Sequence, residues 1–168
     1  GGEYIETWFD KDDLNPAEAW DEQIADAIKS CKCLLFVMTK DSTTPNSVCK
    51  QEWTWALRYK KPVVPIRLHP DAEMPFLLGS RQYIDFSSNF DAGLAKLRSY
   101  LQQLDSPKGA LIELKLRLQD AERDLQRAKT EEEKLHAKND INDLKENIKH
   151  QDVIVKDPKY AEKRTTRS

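Results

Sequence analysis

Glu52 is the residue whose surroundings most suggest chemistry. It falls within SVCKQEWTWALR, Ser47 to Arg58, a run in which Cys49, Trp53, Ala56 and Leu57 recur at helical spacing. Asn46 or Ser47 is suited to cap this helix. The apolar stretch Cys33 to Thr39 precedes it and a second, Pro62 to Leu68, follows. A helix that leaves the carboxyl end of one strand and leads to the next starts where open α/β sheets keep their ligands. A carboxylate there has two uses: to act on a bound ligand, or to sit solvated near a helix N-terminus, where the dipole favours it with no ligand at all.

The other reactive side chains are less suggestively placed. Trp8, Phe9 and Asp10 close the first predicted strand and offer an aromatic wall and a polar contact, although a strand-end aromatic also serves as core. Asp12 and Asp13 read as solvated loop charges. His69, His136 and His150 lack metal-ligand spacing, and nothing places a histidine beside Cys49 to make a Cys–His nucleophile. The three cysteines, Cys31, Cys33 and Cys49, show neither zinc nor disulfide-framework spacing and read as reduced thiols. With five glycines and no GxG, a phosphate-cradling loop has no basis. No metal and no bound cofactor is expected.

Bulk properties narrow the partners. A net charge of −2 gives no electrostatic case for nucleic acid or an anionic membrane surface. No apolar run approaches the ~20 residues that span a bilayer, and the first residues lack a signal-peptide pattern. The expected location is cytoplasmic.

The elements that must position Glu52 follow from periodicity and turn chemistry. Glu3 to Phe9 predicts a strand. Asn15 as N-cap, Pro16 at the first helical position and Glu18 at capping-box spacing start a helix of about four turns, buried through Ala17, Trp20, Ile24, Ala27 and Ile28. Cys33 to Thr39 reads as a strand apolar on both faces, as in the middle of a parallel sheet. Pro62 to Leu68 and Tyr83 to Phe86 are further strands, joined by the long loop HPDAEMPFLLGS. Phe90 to Leu104 is a helix with Phe90, Leu94, Leu97, Tyr100, Leu101 and Leu104 on one face. The order predicts an α/β fold with a doubly wound parallel sheet.

Composition changes at Pro107. All four tryptophans lie before it, and a charge-rich run follows. Leu111, Leu114, Leu118, Ala121, Leu125 and Ala128 step by three and four, while Ala137, Ile141, Leu144 and Ile148 are out of phase with them. Thr130 and Glu133 between the sets have capping-box spacing. Two helices in an antiparallel hairpin are favoured over one helix of ~40 residues, ~60 Å long. Charged pairs such as Glu113 and Arg117 read as ordinary solvation. The expected organisation is a globular domain over 1–106, a helical hairpin over 107–152 and a flexible linker over 153–168.

The globular part resembles the Toll/interleukin-1 receptor (TIR) domain in its bacterial form. The resemblance rests on WFDKDDLNPAEAWDEQIADAIKSCKCLLFVMTKDSTTPNSVCKQEW, KKPVVPIRL and YIDF, in order, over about residues 4 to 105. It implies a flavodoxin-like sheet whose first strand and helix are missing from this chain. It also implies a BB loop for self-association, here Asp12, Asp13, Leu14, Asn15 and Pro16, with Ala17 where the family often has glycine. The tail is similar to the helical linker that joins bacterial effector domains to a NACHT-type or other STAND ATPase module, which would lie further along a parent chain.

Many bacterial TIR domains cleave NAD between nicotinamide and ribose, and the helix start carrying Ser47, Cys49 and Glu52 matches the segment with their essential glutamate. The resemblance thus implies Glu52 as the catalytic carboxylate, with Trp8, Phe9, Asp10, Ser47 and Cys49 near the substrate. One carboxylate suffices in principle. Glycoside hydrolysis ordinarily also needs an acid for the departing oxygen, but nicotinamide leaves NAD from a cationic pyridinium. What remains is to stabilise an oxocarbenium-like ribose, which a nearby negative charge does. The alternative implied function is a non-catalytic TIR–TIR scaffold.

Overall fold

The computed structural model describes residues 6–8, 20–43 and 49–161. They form two compact units, 1–73 and 74–168. In the first, helix α1 (Trp20–Ser30) leads to strand β1 (Leu34–Met38), helix α2 (Cys49–Arg58) and strand β2 (Val63–Arg67). The strands are parallel, with Leu34 opposite Val63 and Met38 opposite Arg67. The Leu34 N–H donates to Pro62 C=O and the Leu68 N–H to Met38 C=O. That alternation turns the N–H groups of Val64, Ile66 and Leu68 toward β1. Pro65, which has no N–H, occupies a position whose donor points away, so a fully buried proline fits mid-strand.

The α/β class read from the sequence is the observed one. Ile24 and Ile28 on α1, Phe36 and Met38 on β1, Trp53 and Ala56 on α2 and Val63, Val64 and Ile66 on β2 are buried. Helix α2 ends in a reciprocal cap. Lys60 takes a left-handed conformation (φ 57°), its N–H bonds Leu57 C=O at 3.0 Å, and the Lys61 N–H bonds Ala56 C=O at 2.8 Å. This six-to-one and five-to-two pattern stops the helix sharply and returns the chain to β2.

Two expectations for this unit change, and a third lies outside the described residues. Residues Glu6–Trp8 carry no strand; a strand exists only when paired, and aromatic, β-branched composition does not supply a neighbour. The predicted cap at Asn15 and Pro16, and the other residues of 9–19, lie outside the described residues. Strand β1 is not covered on both faces: Leu35 and Val37 are 36% and 42% exposed while Phe36 and Met38 are buried. An apolar run shows that both faces tolerate burial, but cover comes from another element.

The second unit begins with a 3₁₀ turn (Phe76–Leu78) inside the predicted long loop, and Leu78 is fully buried there. Strand β3 (Ile84–Asp85) and helix α3 (Phe90–Leu104, capped by the Asn89 side chain on the Ala92 N–H) follow. Gly93 of α3 lies against Phe86, whose ring would meet an added Cβ at 2.7 Å. The expected apolar face of α3 is only half-buried, and Phe90 is 62% exposed.

Helices α4 (Pro107–Arg127) and α5 (Glu131–Lys156) form the antiparallel pair. Gln151 Nε2 near the end of α5 donates to Pro107 C=O at the start of α4, 2.9 Å away. Leu111 and Ala121 of α4 and Ala137 and Ile141 of α5 are buried. The capping box forms as predicted, with Thr130 Oγ1 accepting from the Glu133 N–H at 3.1 Å and Glu133 accepting from the Thr130 N–H at 3.2 Å. The Lys129 N–H, which donates to the Glu133 carboxylate at 2.7 Å, and then the Thr130 N–H hold that carboxyl below the usual range. Helix α5 runs past Asp152 to Lys156, and a short helix α6 (Pro158–Ala161) follows where a flexible linker was expected. Apolar Val153, Ile154 and Val155 extend the helical pattern across the predicted boundary.

Glu113 and Arg117 are not solvated ornament. On α4, Glu113, Arg117 and Asp120 recur at spacings of four and three, forming one stripe, and that stripe meets the segment after the 3₁₀ turn. The Arg81 guanidinium forks onto Asp120 at 2.8 and 3.1 Å, and the Ser80 hydroxyl donates to the same carboxylate at 2.8 Å. Arg123 adds a contact at 3.2 Å. Glu113 is 7% exposed, 3.6 Å from Arg117, which is an ion pair but too long for a hydrogen bond. Burial pushes the Glu113 carboxyl up, opposed by the Arg81 and Arg117 charges.

Two tests follow from this packing. An added Cβ at Gly109 would stand 1.9 Å from Gln103 C=O, a clash with backbone. Gly109→Ala is therefore expected to lower unfolding free energy in urea by ~2 kcal/mol or more, and a change within ~0.5 kcal/mol counts against the tight α3–α4 junction. Glu113, with its raised folded pKa, binds a proton more tightly in the folded chain than in the unfolded one. Its contribution favours folding below the ordinary glutamate range and fades as pH rises through the raised value. The stability of Glu113→Gln relative to the parent should therefore increase from acid toward neutral pH, and a flat difference contradicts the assignment.

Candidate functional site

The carboxyl end of β1 opens into a turn closed by its own hydroxyls. Ser42 Oγ accepts from the Thr39 N–H at 2.7 Å, and Thr39 Oγ1 accepts from the Ser42 N–H at 3.2 Å. Thr43 Oγ1 donates back to Thr39 C=O at 3.1 Å. Ser and Thr side chains bond nearby backbone in this way, which ends a strand without a further pairing partner. Residues 44–48, Ser47 among them, lie outside the described residues, and α2 begins at Cys49.

Glu52 occupies the first turn of α2 and is half-buried. Its position follows from the packing beneath it. Cys49, Trp53 and Ala56 form the stripe facing β1 and β2, with Trp53 3% exposed and Ala56 fully buried. The Trp53 ring meets Phe36 of β1 with centroids 6.3 Å apart and planes inclined at 51°, a geometry aromatic pairs favour. Glu52 adjoins this stripe at its edge, so the helix cannot roll without moving the carboxylate.

The sequence-predicted site residues divide three ways. Cys49 and Glu52 come together, three positions apart on one helical turn. Trp8 is 43% exposed on irregular backbone, and no ring contact joins it to α2 among the described residues. Phe9, Asp10, Asp12, Asp13, Leu14, Asn15, Pro16 and Ser47 lie outside the described residues. At the carboxyl end of β2, Arg67 folds onto the next loop, donating to the carbonyl oxygens of His69 (3.2 Å) and Pro70. Sequence reasoning passed over Arg67 and the Thr39–Thr43 hydroxyls, whose only signal was their place directly after apolar runs.

Among the described residues, no three His, Cys, Asp or Glu side chains are grouped to hold an ion. His69 lies 3.7 Å from Asp71 and His136 3.5 Å from Asp140, each an exposed local pair. Cys31 donates to Ile28 C=O at 3.2 Å, and burial pushes its thiol up, which marks a structural rather than a reactive thiol.

Parallel strands, a helix starting beyond the carboxyl end of the first and a half-buried carboxylate in that helix's first turn define an α/β module. The family model described as TIR domain matches residues 2–98, more than half of the chain. The chain belongs to the TIR-domain family. Neither a curated protein nor a solved structure matches it.

Two substitutions separate the platform from the carboxylate it carries. Trp53→Ala empties the α2–β1 contact and should cost ~3–5 kcal/mol of unfolding free energy. Glu52→Ala, at a half-buried position, should cost under ~1 kcal/mol. Comparable losses from both in chemical denaturation would make Glu52 a structural residue.

Proposed function

We propose that this chain is the effector domain of a bacterial STAND- or NACHT-type immune or signalling protein, acting in antiphage defence, and that it cleaves NAD at the nicotinamide–ribose bond. Glu52 is the catalytic carboxylate in this reading. The observation that carries it is the placement of Glu52 in the first turn of α2, half-buried and fixed by Trp53 against the parallel strands. Membership of the TIR family supports a signalling module, and family members generally self-associate. The ATPase module and a cytoplasmic setting belong to the proposal. Among the described residues, no helix is long and apolar enough to cross a membrane.

Chemically, the bond between ribose C1′ and the pyridinium nitrogen breaks with its electron pair leaving on nitrogen, so nicotinamide departs neutral and unassisted by acid. Positive charge builds on C1′ and the ring oxygen. The Glu52 carboxylate, held in place beforehand, stabilises that charge without reorganising. Water then adds at C1′ and releases a proton, giving ADP-ribose. Trp8, Phe9, Asp10, Ser47 and Cys49 are assigned to the substrate surface.

A scaffold role has its own support in the exposed apolar residues Trp8, Leu35 and Val37 of the same unit, the kind of surface that marks association. The two functions are separable in cells. Expression of the full-length parent should deplete NAD, and Glu52→Ala should slow the depletion by about 100-fold or more. Equal depletion by both removes Glu52 from the chemistry; no depletion by either, even with assembly forced, leaves the scaffold.

A further inference from the structure

The TIR match ends at Arg98, yet a buried polar contact of the second unit crosses that line. Ser80 and Arg81 lie inside the matched span; Asp120 and Arg123 lie beyond it, on α4. Arg81 has a side chain only 3% exposed, and it forks onto Asp120 at 2.8 and 3.1 Å while the Ser80 hydroxyl donates to the same carboxylate at 2.8 Å. Helix α4 is tied at two further places. Arg127 stacks over the Phe76 ring of the 3₁₀ turn at 5.1 Å, and the close approach of Gly109 to Gln103 fixes the α3–α4 junction.

The charges in this contact are unevenly satisfied. Three guanidiniums, those of Arg81, Arg117 and Arg123, surround the carboxylates of Asp120 and Glu113. The Nε atoms of Arg81 and Arg123 and Oε1 of Glu113 are buried without a hydrogen-bond partner among the described residues. A half-satisfied buried network costs more than a complete one, so opening returns free energy by hydrating these atoms. Withdrawing Asp120 alone leaves the buried Arg81 guanidinium without its forked partner, a strongly unfavourable state. The contact is therefore either made or fully separated, with little between.

We propose that the Arg81–Asp120 contact is a latch that makes the α4–α5 pair one body with the segment 76–86, so that a displacement of the helical pair moves the C-terminal part of the TIR-matched region with it. The helical pair is then a lever, not a spacer. This inference does not depend on catalysis at Glu52.

Hydrogen exchange on the full-length chain tests it. In Asp120→Asn, amide exchange should rise at least tenfold in both 76–86 and 107–127, with α1, β1 and β2 unchanged. The double variant Arg81→Met/Asp120→Leu, which replaces the ion pair with apolar side chains, should restore protection in both segments. If Asp120→Asn fails to fold while the double variant folds, the same latch is shown in stronger form. Lys115→Gln, at an exposed position of α4, should leave exchange unaltered. The latch is overturned by unchanged exchange in either segment of Asp120→Asn, by a rise spread evenly over the chain, or by a double variant no better protected than the single one.

Discussion

The parallel pairing of β1 with β2, capped on one face by Trp53 of α2, is the constraint on which the candidate site depends. The register that sets Leu34 opposite Val63 fixes where β1 ends. The Phe36–Trp53 contact fixes how α2 lies on the pair. Glu52 has no freedom independent of these two facts, because it adjoins Trp53 in the helix's first turn. A catalytic carboxylate must be held to a fraction of an ångström by residues that do no chemistry themselves, and here those residues are ordinary core.

The second unit is held differently. Its helices α4 and α5 bury Leu111, Ala121, Ala137 and Ile141 and place an ionic cluster where α4 meets the 3₁₀ turn. Such clusters contribute little net stability, since desolvation offsets attraction, but they specify one arrangement over others. The capping box at Thr130 and the tight approach of Gly109 add local determinants at the two ends of α4.

Much of this was legible in the sequence because it was written in local signals. The strands β1 and β2, helix α3, and the break between α4 and α5 at Thr130 all follow from periodicity and capping chemistry. The placement of Glu52 at the start of α2 was legible for the same reason. What escaped was non-local. Nothing in Glu113 or Arg117 distinguishes a solvated helix pair from a buried one, since the difference lies in Ser80 and Arg81, more than thirty residues away. The exposed face of β1 escaped likewise: Leu35 and Val37 are as apolar as Phe36 and Met38, and only the neighbouring elements decide which pair is covered.

Catalysis by a single carboxylate makes a geometric demand that structure determination can meet directly. In a crystal structure of the assembled full-length protein with a non-hydrolysable NAD analogue, the carboxylate of Glu52 should lie within ~3.5 Å of the nicotinamide ribose, the range of a near-attack arrangement. An analogue bound with that ribose remote from α2, or no binding at the carboxyl ends of β1 and β2, would contradict the assignment of Glu52.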